Sequence, residues 1–258
     1  MPAALHRSVH GHGPDRLVLV HGFTQTLRSW DHLAGPLSET FQVARVDLPG
    51  HGESGPIEMG FAETAAAIGD AGGTATYVGY SMGGRLCLRL ALDRPDLVQA
   101  LVLVGASPGL TDGGDRAARR AADEALAAEI ELSGTAAFLE RWLAQPMFSA
   151  LEPRPEDVAA RLVNSPTGLA TALRRLGTGV QEPLWDRLGR LQMPVLAVAG
   201  QDDVRYTRIA EDMAGAVGVN AAAVALAGAG HAAHLQRPVS FHRLLAAFLE
   251  LHPPVPFR

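Results

Sequence analysis

The stretch VGYSMGGRL (78–86) decides how the rest of the chain is read. Its centre, Gly79-Tyr80-Ser81-Met82-Gly83, fits the G-x-S-x-G pattern that sets a serine on a sharp turn between a strand and a helix. The pattern alone is common, so its flanks carry the argument. TATYVG (74–79) before it reads as a strand, and MGGRLCLRLAL (82–92) after it has helical spacing and good helix formers. So tight a turn strains the serine backbone, and side chains at 79 and 83 would collide with the adjoining strand and helix. Glycines there remove the collision. The serine Oγ is left at the tip of a sheet, with the Met82 amide at a helix N-terminus.

Outward from this turn, short runs rich in Val and Leu recur: RLVLV (16–20), FQVARV (41–46), ALVLVG (100–105), PVLAVAG (194–200) and AAAVALA (221–227). Near-continuous apolar character at this length predicts strands buried on both faces of a parallel sheet. Helical patterns follow at 82–92, 205–216 and 238–250, and the alternation predicts an α/β fold. From about 107 to 190 no strand-like run occurs. Helix-length segments rich in Ala, Leu, Arg and Glu fill the interval, broken at SG (133–134), QP (145–146), PRP (153–155) and SPTG (165–168). The expected organisation is an α/β core from 1–106 and 191–258, with an all-helical cap, 107–190, over the C-terminal edge of the sheet where such sheets bind ligands. The long DRAARRAADEALAAEIEL helix carries enough charge to be mostly solvated.

Composition narrows the class of function. The 258 residues carry a net charge of -5 and no Lys/Arg-rich run, which argues against a nucleic-acid partner. No apolar run is long enough to cross a bilayer and the N-terminus lacks a signal-peptide pattern, so a cytoplasmic protein without membrane insertion is expected. The one cysteine, Cys87, reads as helix packing. No Cys/His cluster has metal-ligand spacing, and no metal or cofactor is expected. His10 and His12, in VHGHG, read as a solvated Gly-rich turn.

A serine hydroxyl becomes reactive when a histidine takes its proton and a carboxylate holds that histidine in the right tautomer. In the strand-turn-helix setting the chain order is Ser, Asp/Glu, His. Asp203 follows PVLAVAG in GQDD, and His231 follows AAAVALAGAG. Asp202 and His234 are the competitors; the three-residue step from Gly200 favours Asp203, and the position directly after GAG favours His231. VLVHGF ends a strand at His21-Gly22-Phe23, where the Phe23 amide would join that of Met82 as an oxyanion donor. Asp47 and His51, in VDLPGHGES (46–54), read as structural.

Taken in order, HGF, DLPGHGES, GYSMGG, GQDD and GAGH resemble the α/β-hydrolase superfamily over nearly the whole length. The scaffold leaves the reaction open, although a serine at position 81 argues against the members that use an aspartate there. HGFTQT (21–26), GYSMGGRL (79–86), ASPGL (106–110), RRAADEALA (119–127), FLERWLAQPMF (138–148) and GLATALRRLGTGVQEPLW (168–185) are similar to the 2-succinyl-6-hydroxy-2,4-cyclohexadiene-1-carboxylate synthases of menaquinone biosynthesis. That resemblance implies a lyase that eliminates pyruvate from a tricarboxylate without a cofactor. It implies a pocket with Tyr80, Trp142 and Phe148, core packing being the alternative for the latter two. It also implies carboxylate-binding guanidinium groups at Arg85, Arg119 and, less closely matched, Arg161, with Arg120 and Arg174 as alternatives. The same parts would serve a serine carboxylesterase or a C–C bond hydrolase; the triad does not separate these readings.

Overall fold

The computed structural model describes residues 4–253. Its sheet has seven strands: β1 (Arg7–His10), β2 (Arg16–Val20), β3 (Gln42–Val46), β4 (Ala75–Tyr80), β5 (Val98–Val104), β6 (Val195–Gly200) and β7 (Ala221–Leu226). Their order is β1-β3-β2-β4-β5-β6-β7. Only β1 runs antiparallel, pairing with β3; the other neighbours are parallel. The chain thus steps from β2 outward to β3 and back past it to β4, and the loops after these strands open on either side of a switch point, where such sheets bind ligands.

The strand pattern shows why the sheet holds. All six residues of β4 and of β6 are buried, as near-continuous apolar runs require when helices cover both faces. Alternate residues divide between the faces. Val18 and Val20 join a cluster with α2 (Phe61–Gly72), α3 (Met82–Asp93) and α7 (Val204–Val217). Leu17 and Leu19 join one with α1 (Asp31–Leu37) and α9 (Pro238–Leu251). Cys87 is a free, fully buried thiol in the first cluster.

Two expectations need correcting. AAAVALA forms β7, yet as the terminal strand it has only one neighbour, and its residues are mostly half-exposed or exposed rather than buried on both faces. His10 lies at the end of edge strand β1, not in a turn; four residues with only one buried neighbour give little hydrophobic signal. Helices α1 and α2 also escape the sequence pattern, because Pro36 and five glycines in and beside these segments blur the helical period.

Between β5 and β6 the chain is helical: α4 (Gly113–Leu143), α5 (Pro155–Leu162) and α6 (Pro166–Leu176). Gly134, at φ 78, interrupts α4 at the SG pair. Ala127, Ile130 and Phe138 of α4 pack on Leu169, Ala170 and Leu173 of α6 as a small core of their own. This layer meets the loop after β3 at close range. A Cβ on Gly50 would lie 2.3 Å from the Gly168 carbonyl oxygen, and one on Gly168 would lie 2.7 Å from that of Gly50. The last part of the interval behaves differently: Leu184 and Leu188 pack in the sheet's own core beside α3 and α7.

The turn at 79–83 leaves equally little room, since a Cβ on Gly83 would sit 2.4 Å from the carbonyl oxygens of both Val20 and His21. Gly83→Ala is therefore expected to destabilise the protein by more than about 2 kcal/mol. Gly215→Ala, on an open face of α7 with nothing within 4 Å, is expected to be neutral or slightly stabilising. Thermal melting of the two variants checks this; equal melting temperatures would show that the turn can widen.

Candidate active site

Ser81 is one of two non-glycine residues with positive φ among the described residues, at φ 49 and ψ −108. It follows β4 directly, and its amide donates to the Val104 carbonyl at 2.8 Å. Its hydroxyl lies 3.1 Å from Nε2 of His231, and His231 Nδ1 lies 2.9 Å from Oδ2 of Asp203. The chain of donors runs from the Ser81 hydroxyl to Nε2 and from Nδ1–H to the carboxylate. Asp203 is held by a second bond, because as N-cap of α7 its Oδ1 accepts the Tyr206 amide at 3.2 Å. His231 is anchored through its amide to the Met147 carbonyl at 3.2 Å, and the Tyr206 ring packs 4.5 Å from the imidazole. Asp202 is exposed, and His234 is buried against Trp30 and Tyr80 with both ring nitrogens unbonded.

The amides of Phe23 and Met82 have no acceptor among the described residues. Met82 N–H opens α3, so the positive end of the helix adds to it. Phe23 sits on a turn closed by Gln25 N–H to the Gly22 carbonyl at 3.2 Å. Two buried imidazoles fix the surroundings of that turn. His51 Nε2 accepts the Thr24 amide at 3.2 Å while Nδ1 donates to the Pro49 carbonyl at 3.0 Å. His21 accepts the Leu48 amide at 3.0 Å and donates to the Gly22 carbonyl at 2.8 Å. Each imidazole must be neutral to accept these amide bonds. Burial accordingly pulls His51 down to about 3 and lowers His21 as well. Asp47 ties the same loops, accepting the Leu27 amide at 2.8 Å and the Glu53 amide at 3.1 Å.

Two arginines are buried near this group with no carboxylate within salt-bridge distance among the described residues. Arg161, 6% exposed, donates to the Thr24 hydroxyl. Arg85, 5% exposed and one turn beyond Ser81, donates to Gln181 Oε1 at 2.9 Å and to the Leu176 carbonyl at 2.7 Å, with Phe61 5.5 Å from its guanidinium. Burial pulls Arg85 down to about 10. Its two terminal nitrogens are thus already engaged with the helical layer, so its first role is as a strut. Arg119 differs: its side chain is 42% exposed and its Nε donates to Asp123 at 2.8 Å, leaving the terminal nitrogens open. Arg120 reaches the Gly179 carbonyl at 3.1 Å, and Arg174 lies outside, paired with Glu124 and Glu131.

The aromatic side chains form one wall. Tyr80 is buried 5.5 Å from the His231 ring, and burial raises its phenol above the ordinary value. Trp142 stands edge-on to Phe23 at 5.4 Å, and Phe148 lies 5.9 Å from Trp142 and 6.3 Å from His231. Trp142 and Phe148 also pack in the core cluster around Trp30. Sequence reasoning missed Tyr206, Thr24, Asn164 and Gln181. Thr24 was legible only as a non-glycine after HGF; nothing local marks the others. No cluster of three or more His, Cys, Asp or Glu side chains among the described residues could hold a metal ion, and no helix there is long and apolar enough to cross a membrane.

Strand order, the strained serine turn and the three residues meeting at the strand ends define an α/β hydrolase. The chain belongs to the α/β hydrolase family, whose model matches residues 17–244. Within it, the chain is 31% identical to 2-succinyl-6-hydroxy-2,4-cyclohexadiene-1-carboxylate synthase of Enterobacter sp. (strain 638), over 91% of this chain and 92% of that one. It is likewise 31% identical to the enzyme of that name from Salmonella enteritidis, over 93% of this chain and 95% of that one. The solved structure of MenH from S. aureus superposes with a TM-score of 0.88 at 28% identity, covering 96% of this chain and 98% of that one. An esterase from Thermogutta terrifontis shares the fold at a TM-score of 0.80 and 24% identity, covering 96% of this chain and 94% of that one.

Two measurements follow from the buried cations and imidazoles. Arg85→Ala orphans the buried Leu176 carbonyl and Gln181, so stability should fall by about 1–3 kcal/mol in urea unfolding; an unchanged midpoint would remove the strut. Because the unfolded chain binds protons near pH 6.5 while His51 stays neutral down to about 3, its contribution is full above pH 6.5 and is lost as pH falls toward 3. The slope is about 1.4 kcal/mol per pH unit for each such group. His51→Gln, which can still accept the Thr24 amide, should flatten the dependence by one proton, and an unaltered slope would place the effect elsewhere.

Proposed function

We propose that the protein is a lyase of menaquinone biosynthesis. It removes pyruvate from 2-succinyl-5-enolpyruvyl-6-hydroxy-3-cyclohexene-1-carboxylate and leaves 2-succinyl-6-hydroxy-2,4-cyclohexadiene-1-carboxylate. The observation that carries this reading is the pair of buried guanidinium groups, Arg85 and Arg161, with no carboxylate within salt-bridge distance among the described residues, near a Ser-His-Asp group. Burying a cation unpaired is unfavourable by several kcal/mol, and an anionic substrate offsets that penalty when it enters. The two curated relatives above, which match 91% and 93% of this chain, carry the name of this synthase.

His231, oriented by Asp203, takes the Ser81 proton, and the Ser81 oxygen removes the hydrogen on the ring carbon next to the succinyl carbonyl. The electron pair of that C–H bond enters the ring, the amides of Phe23 and Met82 hold the negative charge on the carbonyl oxygen, and the ring double bond shifts. The C–O bond to the enolpyruvyl group then breaks. The proton on His231 passes to the departing enolpyruvate, which becomes pyruvate, and Ser81 retains the proton from carbon. No acyl-enzyme forms. The open terminal nitrogens of Arg119 and the remaining N–H groups of Arg161 orient the carboxylates, Arg85 adds positive potential, and Tyr80, Trp142 and Phe148 shape the apolar side of the pocket. A small-molecule biosynthetic role is in keeping with a cytoplasmic location.

The test supplies purified protein with the enolpyruvyl substrate made in situ by the enzyme of the preceding step and follows pyruvate. Release well above the uncatalysed background, lost in Ser81→Ala, is expected. Background-rate release together with turnover of simple esters would move the assignment to the hydrolases. Arg161→Ala should raise KM by about 10- to 100-fold, the loss expected for a charged hydrogen bond. Unchanged kinetics would take Arg161 out of the carboxylate site.

A further inference from the structure

Thr24 is the second non-glycine residue with positive φ, at 67. It occupies the third position of the Gly22–Gln25 turn, a place at which positive φ normally selects glycine or asparagine. A threonine held there is strained by about 1–3 kcal/mol and persists only where its surroundings over-determine it. Its surroundings do so at every polar atom. The amide donates to His51 Nε2 at 3.2 Å, the carbonyl accepts Asn164 Nδ2 at 2.8 Å, and the hydroxyl accepts Arg161. One of these three grips belongs to the sheet core; the other two come from the helical layer.

Asn164 does more than hold Thr24. It lies between α5 and α6, 3% exposed, and its Oδ1 accepts the Gly52 amide at 2.8 Å. One side chain therefore spans two core loops, the turn after β2 that carries the Phe23 amide and the loop after β3 that carries His51. Its own carbonyl is fixed to α4 by the Thr135 hydroxyl at 2.8 Å. If the layer lifts, Thr24 loses the Asn164 and Arg161 bonds together, and the strained peptide next to Phe23 is free to turn over.

We propose that Asn164 is a positioning residue that assembles the oxyanion site: seating of the helical layer through Asn164 holds Thr24 in its left-handed conformation and so aims the Phe23 amide. The inference rests on the reading of Phe23 and Met82 as oxyanion donors, and it is independent of the substrate named above. The site is complete only when the layer is down, which ties anion stabilisation to closure over a bound substrate.

The test uses Asn164→Ala and the isosteric Asn164→Asp, which keeps an acceptor for Gly52 but loses the donor to Thr24. Arg141→Ala serves as control, since it breaks an exposed pair with Glu129 in the same layer and touches neither Asn164 nor the turn. Two readouts are taken: kcat and KM for pyruvate release, and the rate at which a p-nitrophenyl phosphonate modifies Ser81, whose phosphoryl oxygen uses the oxyanion site whatever the natural substrate. Removing an oxyanion donor outright lowers kcat by about 100- to 1,000-fold. A misaimed donor should lower kcat and the phosphonylation rate by about 10- to 100-fold in both Asn164 variants, with KM nearly unchanged and with Arg141→Ala near the parent. Full phosphonylation rates in both Asn164 variants, or an equal loss in Arg141→Ala, would overturn the inference. A wild-type protein that reacts with the phosphonate but releases no pyruvate would refute the lyase reading alone and leave this comparison decisive. Should Asn164→Ala not fold, Asn164→Asp separates the same outcomes by itself.

Discussion

The backbone at Ser81 is the constraint around which the rest is arranged. A serine at φ 49 lies outside the comfortable regions for an L-residue, and the turn persists because β4 and α3 are fixed on either side of it. The fixing is local and dense: the Ser81 amide is bonded to Val104, the Ser81 carbonyl takes the Arg85 amide at 3.0 Å, and the glycine at 83 lets α3 press on the end of β2. The same pressure brings the HGF turn beside the serine. From that one junction follow the exposed hydroxyl, the free Met82 amide and the approach of His231 from β7.

Charge distinguishes this site from what the fold alone would supply. A Ser-His-Asp group serves acyl transfer and proton abstraction equally well, since in both the histidine manages one proton. Here the imidazoles behind the oxyanion turn are kept neutral by burial, whereas two guanidinium groups are buried with no carboxylate within salt-bridge distance among the described residues. Neutral histidines do not compete for an incoming carboxylate; unpaired arginines attract one. The arrangement favours a poly-anionic substrate held with its acidic carbon at the serine over a neutral ester.

Much of the fold was legible because strands buried on both faces leave continuous apolar runs, and β2, β4, β5 and β6 all do. The sheet edges differ: β1 faces solvent and carries no such run, whereas β7 keeps an apolar run although its residues face solvent in part. At the site, Ser81, Asp203 and His231 could be named from strand ends and glycine turns, which are local, and the structure brings those three within hydrogen-bonding distance. Arg85 could be placed near the site by its four-residue step from Ser81 and the cap arginines by resemblance, but their different settings, Arg85 braced, Arg119 half-open and Arg161 on Thr24, depend on packing between distant segments. Asn164 acts across more than 100 residues of chain, on Gly52 and Thr24, and no sequence window contains it.

The proposed chemistry turns on Ser81 acting as a base rather than as a nucleophile. The most direct measurement compares kcat/KM for the enolpyruvyl substrate carrying hydrogen or deuterium at the ring carbon next to the succinyl carbonyl, with mass spectrometry of the protein during turnover. A primary isotope effect, with the protein mass unchanged, is the predicted result. No isotope effect together with a covalent adduct on Ser81 would contradict the account.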